Sequence, residues 1–388
     1  MRPPELPLPD ADASASTQAL CELIAAEIGA HGPMPFRRYM ELALYAPGLG
    51  YYAAGARKFG AAGDFITAPE LGSLLAEAWA EALLPVLQAL AAPEILELGA
   101  GSGALAADLL AALARRGVEL QRYAILDRSA DLRARQAERL ATSPWRERVV
   151  WLDAPPTQAF DGAIIGNEVV DALACTRFAI TADGPREMAV DVRDGRFVDA
   201  TLPANDRLRA AIAHLQASGV ELAPGYCSEV LPELPAWLQA VSASLREGVV
   251  LLADYGYGRP EYYHPDRRQG TLICHYRHRA HADPYHWPGL TDISAFVDYT
   301  ALAEAGAASA LDLLSYHSQA GFLLELGLDR LVADLAALPD RARLALTQQI
   351  KRLMLPGDMG ERFKIMALGR GPAAERWPLQ GAGQRGLL

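Results

Sequence analysis

Ile95-Leu96-Glu97-Leu98-Gly99-Ala100-Gly101-Ser102-Gly103-Ala104 is the stretch whose reading decides the fold. Its apolar start predicts a buried strand, and the helix formers Leu105-Ala106-Ala107-Asp108-Leu109-Leu110 that follow predict a helix. Between them stand three glycines at alternate positions. Without Cβ atoms the chain can leave the strand, turn sharply and let a nucleotide cofactor lie against its backbone. Gly99, Gly101 and Ala104 also satisfy the dinucleotide pattern G-x-G-x-x-G/A, and a turn of purely structural purpose is a further alternative. Spacing alone therefore does not name the cofactor.

Two acids narrow the choice. Glu97 stands at the strand tip, where a carboxylate repels a pyrophosphate but attracts an amine or sulfonium, which favours S-adenosylmethionine over NAD. Asp127 ends the apolar run Tyr123-Ala124-Ile125-Leu126, 28 positions after Gly99. An acid at the end of the next parallel strand is placed to bond both ribose hydroxyls, while the plainer reading makes it a cap for the helix beginning near Ser129.

Working outward, apolar strand candidates alternate with helices: Ile95–Leu98, Tyr123–Leu126, Val149–Leu152, Gly162–Gly166 and Val249–Ala253, with Leu311–Ser315 and Phe363–Leu368 as the last two. This rhythm predicts a mostly parallel α/β sheet covered on both faces. Residues 1–90 read as an N-terminal helical extension with cofactor-covering loops, its first helix capped by Ser16 or Thr17. Residues 91–174 and 248–368 form the core. Residues 175–247 read as an insertion of hairpins turning at Asp183-Gly184 and Asp194-Gly195, followed by helices at 206–217 and 235–245. A second insertion, 257–310, is expected on the substrate side, and the Gly/Pro-rich tail 369–388 is expected to be flexible.

With 388 residues and 51% hydrophobic content the chain can bury a large core. No apolar run reaches the length of a membrane span, and the N-terminus resembles neither a secretory signal nor a transit peptide. A formal charge of −11 argues against a nucleic-acid partner and suits a cationic substrate. The four widely spaced cysteines, without a C-x-x-C pair, read as reduced thiols of a cytoplasmic protein, and the Ala/Arg/Leu-rich composition suggests a bacterial one. His275, His278 and His281, spaced by three and mixed with arginines, read as a polar loop rather than a metal site.

In open α/β sheets the chemistry gathers just beyond the carboxyl ends of the strands. The fourth strand leads into Asn167-Glu168-Val169-Val170-Asp171-Ala172, and the fifth into Asp254-Tyr255-Gly256-Tyr257. Glu168 and Asp171 can orient a guanidinium or amine and take its proton; the alternative is a solvated first turn capped by Asn167. For Asp254 the alternative is an Asx turn. Asp153, after the third strand, could meet the adenosine, although Pro155-Pro156 suits an ordinary turn.

Taken in order, Gly63-Asp64-Phe65-Ile66-Thr67-Ala68-Pro69-Glu70, Glu97 to Gly103, Asn167 to Ala172, Asp254-Tyr255-Gly256, Asp292-Ile293-Ser294 with Val297-Asp298-Tyr299, and Met359-Gly360-Glu361-Arg362-Phe363-Lys364 resemble the motifs of the MidA family. The resemblance implies a class I, Rossmann-like methyltransferase with a seven-stranded sheet. It implies S-adenosyl-L-methionine as cofactor, held by Glu97, Gly99, Gly101, Gly103 and Asp127, with Thr67, Pro69 and Glu70 closing over its methionine end; Asp153 and Asn167, by their places at strand ends, are read as further cofactor contacts. Asp127 stands where the family more often has glutamate. Glu168 and Asp171 become the acceptor-side residues, and His278, with His281 as its rival, a substrate-side histidine. The family's mitochondrial member dimethylates an arginine of a respiratory complex I subunit, so the implied partner is a protein carrying a target arginine. A homodimer is compatible with the resemblance. A small-molecule acceptor, or an assembly protein that merely keeps a cofactor site, are the alternative functions.

Overall fold

The computed structural model describes residues 6–53, 67–380 and 383–388. The chain forms two compact units: Met1–Phe65, Asp171–Glu233 and Arg259–Phe296 make the first, and Ile66–Val170, Leu234–Gly258 and Val297–Leu388 the second.

The second unit is built on a central sheet of β1 (Glu94–Leu98), β2 (Arg122–Leu126), β3 (Val149–Leu152), β4 (Phe160–Asn167), β5 (Leu245–Tyr257), β6 (Asp312–Ser318) and β7 (Phe363–Arg370). Their order is β3-β2-β1-β4-β5-β7-β6. Strands β1 to β5 run parallel, and β7 lies antiparallel between β5 and β6. Their sequences are apolar on both faces because helices cover both; Ile95, Ile164, Ile165, Val250 and Leu251 are fully buried. The alanine-rich helices α1 (Leu74–Gln88) and α2 (Ala104–Arg115) pack closely, and with Trp79 and Leu109 they fill the core. Helix α3 (Ala130–Leu140) follows β2, with Ser129 as its N-cap.

Three expectations change here. Strand β5 does not end at Ala253 but continues to Tyr257, and the short strand Val297–Asp298 pairs with its overhang. Among the described residues this two-residue strand joins the expected seven as an eighth. The helix read at 235–245 is Leu234–Ser242, and it belongs to this unit rather than to an insertion; α1, within the expected N-terminal extension, belongs to this unit as well. The tail is also packed: Ala373, Ala374, Trp377 and Leu379 are buried in the core, and Trp377 Nε1 donates to Ser315 Oγ at 2.9 Å. Its glycine and proline content predicts flexibility, but one indole and a few small apolar side chains suffice to anchor it.

In the first unit the helices Ala11–His31 and Phe36–Tyr45 pack on an antiparallel sheet. That sheet runs Met34–Pro35, Gly184–Arg193, Thr176–Thr181, Cys227–Val230, with Arg196–Pro203 paired to Gly184–Arg193. Asp194 and Gly195 have φ of 50° and 73°, the two left-handed residues that a tight hairpin turn needs. The first helix starts earlier than expected, because Asp10 caps it through Ala13 N–H at 2.9 Å while Thr17 instead donates to the Pro288 carbonyl at 2.7 Å. A second sheet joins Arg279–His281, Ile273–Tyr276 and Asp292–Ser294. No described helix is long and apolar enough to cross a membrane.

Candidate active site

The glycine loop emerges from the carboxyl end of β1. Gly99, Gly101 and Gly103 all hold positive φ, at 59°, 53° and 79°, which explains three glycines where one would turn the chain. Gly103 is also a close approach, since a Cβ there would stand 3.3 Å from the Gln136 Cα. Gly99 N–H donates to the Leu126 carbonyl at 2.9 Å, tying the loop to the end of β2.

Glu97 is 2% exposed, and the Tyr123 hydroxyl donates to it at 2.7 Å. Burial pushes its carboxyl up to about 8, against the pull of that hydrogen bond, and the neighbouring Asp127 adds to the rise. A buried carboxyl with a hydroxyl but no cationic partner among the described residues fits an ammonium-bearing ligand.

Asp127 ends β2 and is also buried. One carboxylate oxygen accepts from Ser129 N–H at 2.9 Å and the other from Gln136 Nε2 at 2.8 Å. The helix cap is thus Ser129 itself, and Asp127 keeps further lone pairs for hydroxyl donors. Burial raises its pKa as well.

Gln136, unforeseen in the sequence, connects these parts. It is fully buried in α3; its Nε2 donates to both Asp127 and the Gly101 carbonyl, the latter at 2.9 Å, and its Oε1 accepts from Trp151 Nε1 at 2.9 Å. One amide therefore aligns the glycine loop, the acid of β2 and the end of β3. The only sequence signal was a glutamine facing the buried side of an otherwise charged helix.

From the segment before α1, Ser102 Oγ donates to Glu70, and Arg139 lies 3.7 Å from the same carboxylate. Thr67 precedes the short turn Ala68–Leu71, which carries Pro69 and Glu70, without a side-chain cap bond, and the motif meets the glycine loop through Glu70. Its first residues, 63–66, lie outside the described residues.

The carboxyl end of β4 abuts the same loop: Val169 Cγ2 lies 3.5 Å from the place of a Gly99 Cβ. Glu168 holds φ 56°, a left-handed conformation costing about 1–2 kcal/mol for a residue with a Cβ. Three hydrogen bonds hold it there. Glu168 N–H donates to the Ala253 carbonyl at 2.9 Å, and the N–H groups of Val169 and Val170 reach Asp254 Oδ2 at 3.1 and 2.9 Å. Asp254 is therefore a clamp on this turn, and it also accepts from its own neighbour Tyr255 N–H. Asn167 Nδ2 donates to Glu168 at 3.0 Å, while its buried Oδ1 has no partner among the described residues. That oxygen is free to accept a hydrogen bond from a bound molecule.

Asp153 is exposed and paired with Arg133, an arrangement that gives it no buried polar role. Asp171, His278 and His281 belong to the first unit. Asp171 is buried, with its carbonyl accepting from Ala295 N–H at 3.2 Å. Arg277 and His278, with φ of 45° and 61°, form the exposed two-residue turn between Ile273–Tyr276 and Arg279–His281, so His278 sits at a hairpin tip. His281 is half-buried, with its ring 5.8 Å from that of His286. All four cysteines are unpaired.

A family model of S-adenosyl-L-methionine-dependent methyltransferases matches residues 74–317, which span the glycine loop, the β4 turn and β5. The chain belongs to this family. The methyltransferase is also 43% identical to a Burkholderia thailandensis protein whose structure was solved bound to S-adenosyl-homocysteine; the match covers 96% of this chain and 97% of that one, with a TM-score of 0.88. Its relatives include the mitochondrial protein arginine methyltransferase NDUFAF7 of Danio rerio, 27% identical over 394 residues that cover 92% of this chain and 88% of that protein. The human protein of the same name is 27% identical over 382 residues, covering 88% and 81%. S-adenosyl-L-methionine is accordingly the cofactor, and the α/β fold is that of a class I methyltransferase. Its alternative, a nicotinamide dinucleotide, would set a pyrophosphate beside Glu97.

Proposed function

We propose that the methyltransferase modifies an arginine side chain of a protein partner. The observation that carries this reading is Glu168, an acid held in a left-handed turn against the cofactor loop by Ala253 and Asp254. Backbone strain of this kind persists where the surrounding structure over-determines it, and it clusters at functional sites. The names of the relatives support the acceptor class, and the net charge of −11 suits a cationic partner.

In this reading Glu97 takes the cofactor ammonium, Asp127 the ribose hydroxyls, and Asn167 Oδ1 a remaining donor. The bound cofactor supplies an electrophilic methyl on a sulfonium. Glu168 fixes the guanidinium by charge-assisted hydrogen bonds, turns one nitrogen toward that methyl and accepts the proton which that nitrogen loses. Asp171, three residues further along, is assigned a supporting acceptor-side role, and His278 a role in holding the partner. By the family resemblance the partner would be a respiratory complex I subunit, and by composition the compartment would be the bacterial cytoplasm.

Glu168→Gln keeps the size and the hydrogen bond from Asn167 but removes the charge. We expect S-adenosyl-homocysteine affinity to stay within about twofold by calorimetry, and methylarginine formation to drop at least tenfold, about 1.4 kcal/mol of lost transition-state stabilisation. Labelled S-adenosylmethionine with cleared bacterial lysate, followed by amino-acid analysis, measures this. Label recovered only in small molecules would reject the protein acceptor, and an unimpaired variant would reject the role of Glu168.

A further inference from the structure

We infer that the methyltransferase modifies itself on Arg385, in the C-terminal strap that lies along the carboxyl edge of its own sheet. The inference rests on the arginine-acceptor reading above and names one substrate for it.

The strap's course is specified rather than incidental. Gly383 bridges Tyr316 in parallel, and Gln384 N–H donates to the Tyr316 carbonyl at 2.6 Å, near the carboxyl end of β6. A Cβ at Gly383 would overlap that carbonyl and come within 2.7 Å of His317 Nδ1, so this position accepts glycine alone. Gln384 Oε1 lies 3.4 Å from Lys364 Nζ, on the opening residues of β7. Past a single turn, Arg385–Leu387, the Leu387 carbonyl occupies the space beside Gly258, just beyond β5. The strap thus runs across the edge from β6 toward β5. Strand β5 in turn holds the Glu168 turn through Ala253 and Asp254.

Arg385 stands on this path with an exposed side chain, between Gln384 and Gly386. The backbone of its neighbours is held, but the side chain is not buried, and Gly386 adds no bulk beside it. Arg385 thereby stands on the same carboxyl edge of the sheet as the Glu168 turn. The step balances as for any acceptor: a guanidinium nitrogen forms a bond to the methyl carbon, the carbon–sulfur bond breaks with its electron pair on sulfur, and the nitrogen's proton leaves to a carboxylate or water. The products are methylarginine and S-adenosyl-homocysteine.

The test incubates the full-length protein with S-adenosylmethionine, digests it and reads the C-terminal peptide by mass spectrometry, beside R385K and E168Q. We expect a gain of one or two methyl groups on Arg385 in the wild type, none at that position in R385K, and at least a tenfold lower yield in E168Q. A rate constant independent of protein concentration would place the reaction within one chain, and a proportional one between copies. Methylarginine in lysate proteins without any on Arg385 would overturn this inference and leave the arginine-acceptor reading standing. Cofactor binding without methylarginine on either would overturn both.

Discussion

At the scale of single residues, the site depends on groups whose polar atoms are each matched to a specific partner. Gln136 serves three of them, bonding Asp127, Gly101 and Trp151 with one amide. Replacing it by leucine keeps the volume but takes their hydrogen-bond partner from the half-buried Gly101 carbonyl and Trp151 indole N–H. We expect Gln136→Leu to lose about 1–3 kcal/mol of stability in urea unfolding and to weaken S-adenosyl-homocysteine binding about tenfold in calorimetry. An unchanged affinity would show that the loop holds its shape without the clamp. Asp127 could be singled out from the chain alone because an acid after a second strand is a local pattern. Gln136 could not, because its meaning comes from Gly101 and Trp151, which folding brings to it.

At the scale of elements, the turn after β4 is shaped by its neighbour β5. The Asn167-Glu168 pair is recognisable as a polar end to an apolar strand, but nothing local places Glu168 at φ 56°. Asp254 does so from β5, across the parallel register that sets Ala253 beside Asn167. Asp254→Ala would leave two turn N–H groups without their acceptor. We expect about 2–4 kcal/mol of lost stability, and a fall in turnover with less than a threefold change in cofactor affinity, because Glu97 and the glycine loop are untouched. Parallel measurement of methyl transfer and S-adenosyl-homocysteine binding separates the two effects; equal losses in both would mean that the turn supports the cofactor instead. The extension of β5 to Tyr257 was hidden for the same reason. Asp254, Gly256 and their neighbours read as a loop until the edge strand Val297–Asp298 and β7 supply their pairing.

At the scale of the whole molecule, the buried Glu97 ties stability to pH and to the cofactor. Its carboxyl titrates near 8 in the fold against about 4.5 when unfolded, so between those values the native state holds a proton that the unfolded state has lost. Raising pH across this window therefore lowers the stability of the ligand-free protein, with no further loss from this group above about 8. A cationic ligand favours the ionised carboxylate, so the rise in melting temperature caused by S-adenosyl-homocysteine should be larger at pH about 8 than at about 6. Scanning calorimetry measures it, and an undiminished difference in Glu97→Gln would dismiss Glu97 as the group responsible. The chain by itself determined the α/β rhythm, the glycine loop and the acids at the strand tips, since periodicity, turn chemistry and strand-end polarity act over a few residues. Only the tertiary structure decided that Gln136 is the clamp, that Asp254 sets the Glu168 turn, that α1 joins the core and that the tail is packed by Trp377 and strapped along the sheet. Each of these rests on contacts between distant parts of the chain, such as Trp377 with Ser315 and Gln384 with Tyr316, and their energies exist only once the backbone has brought those groups together.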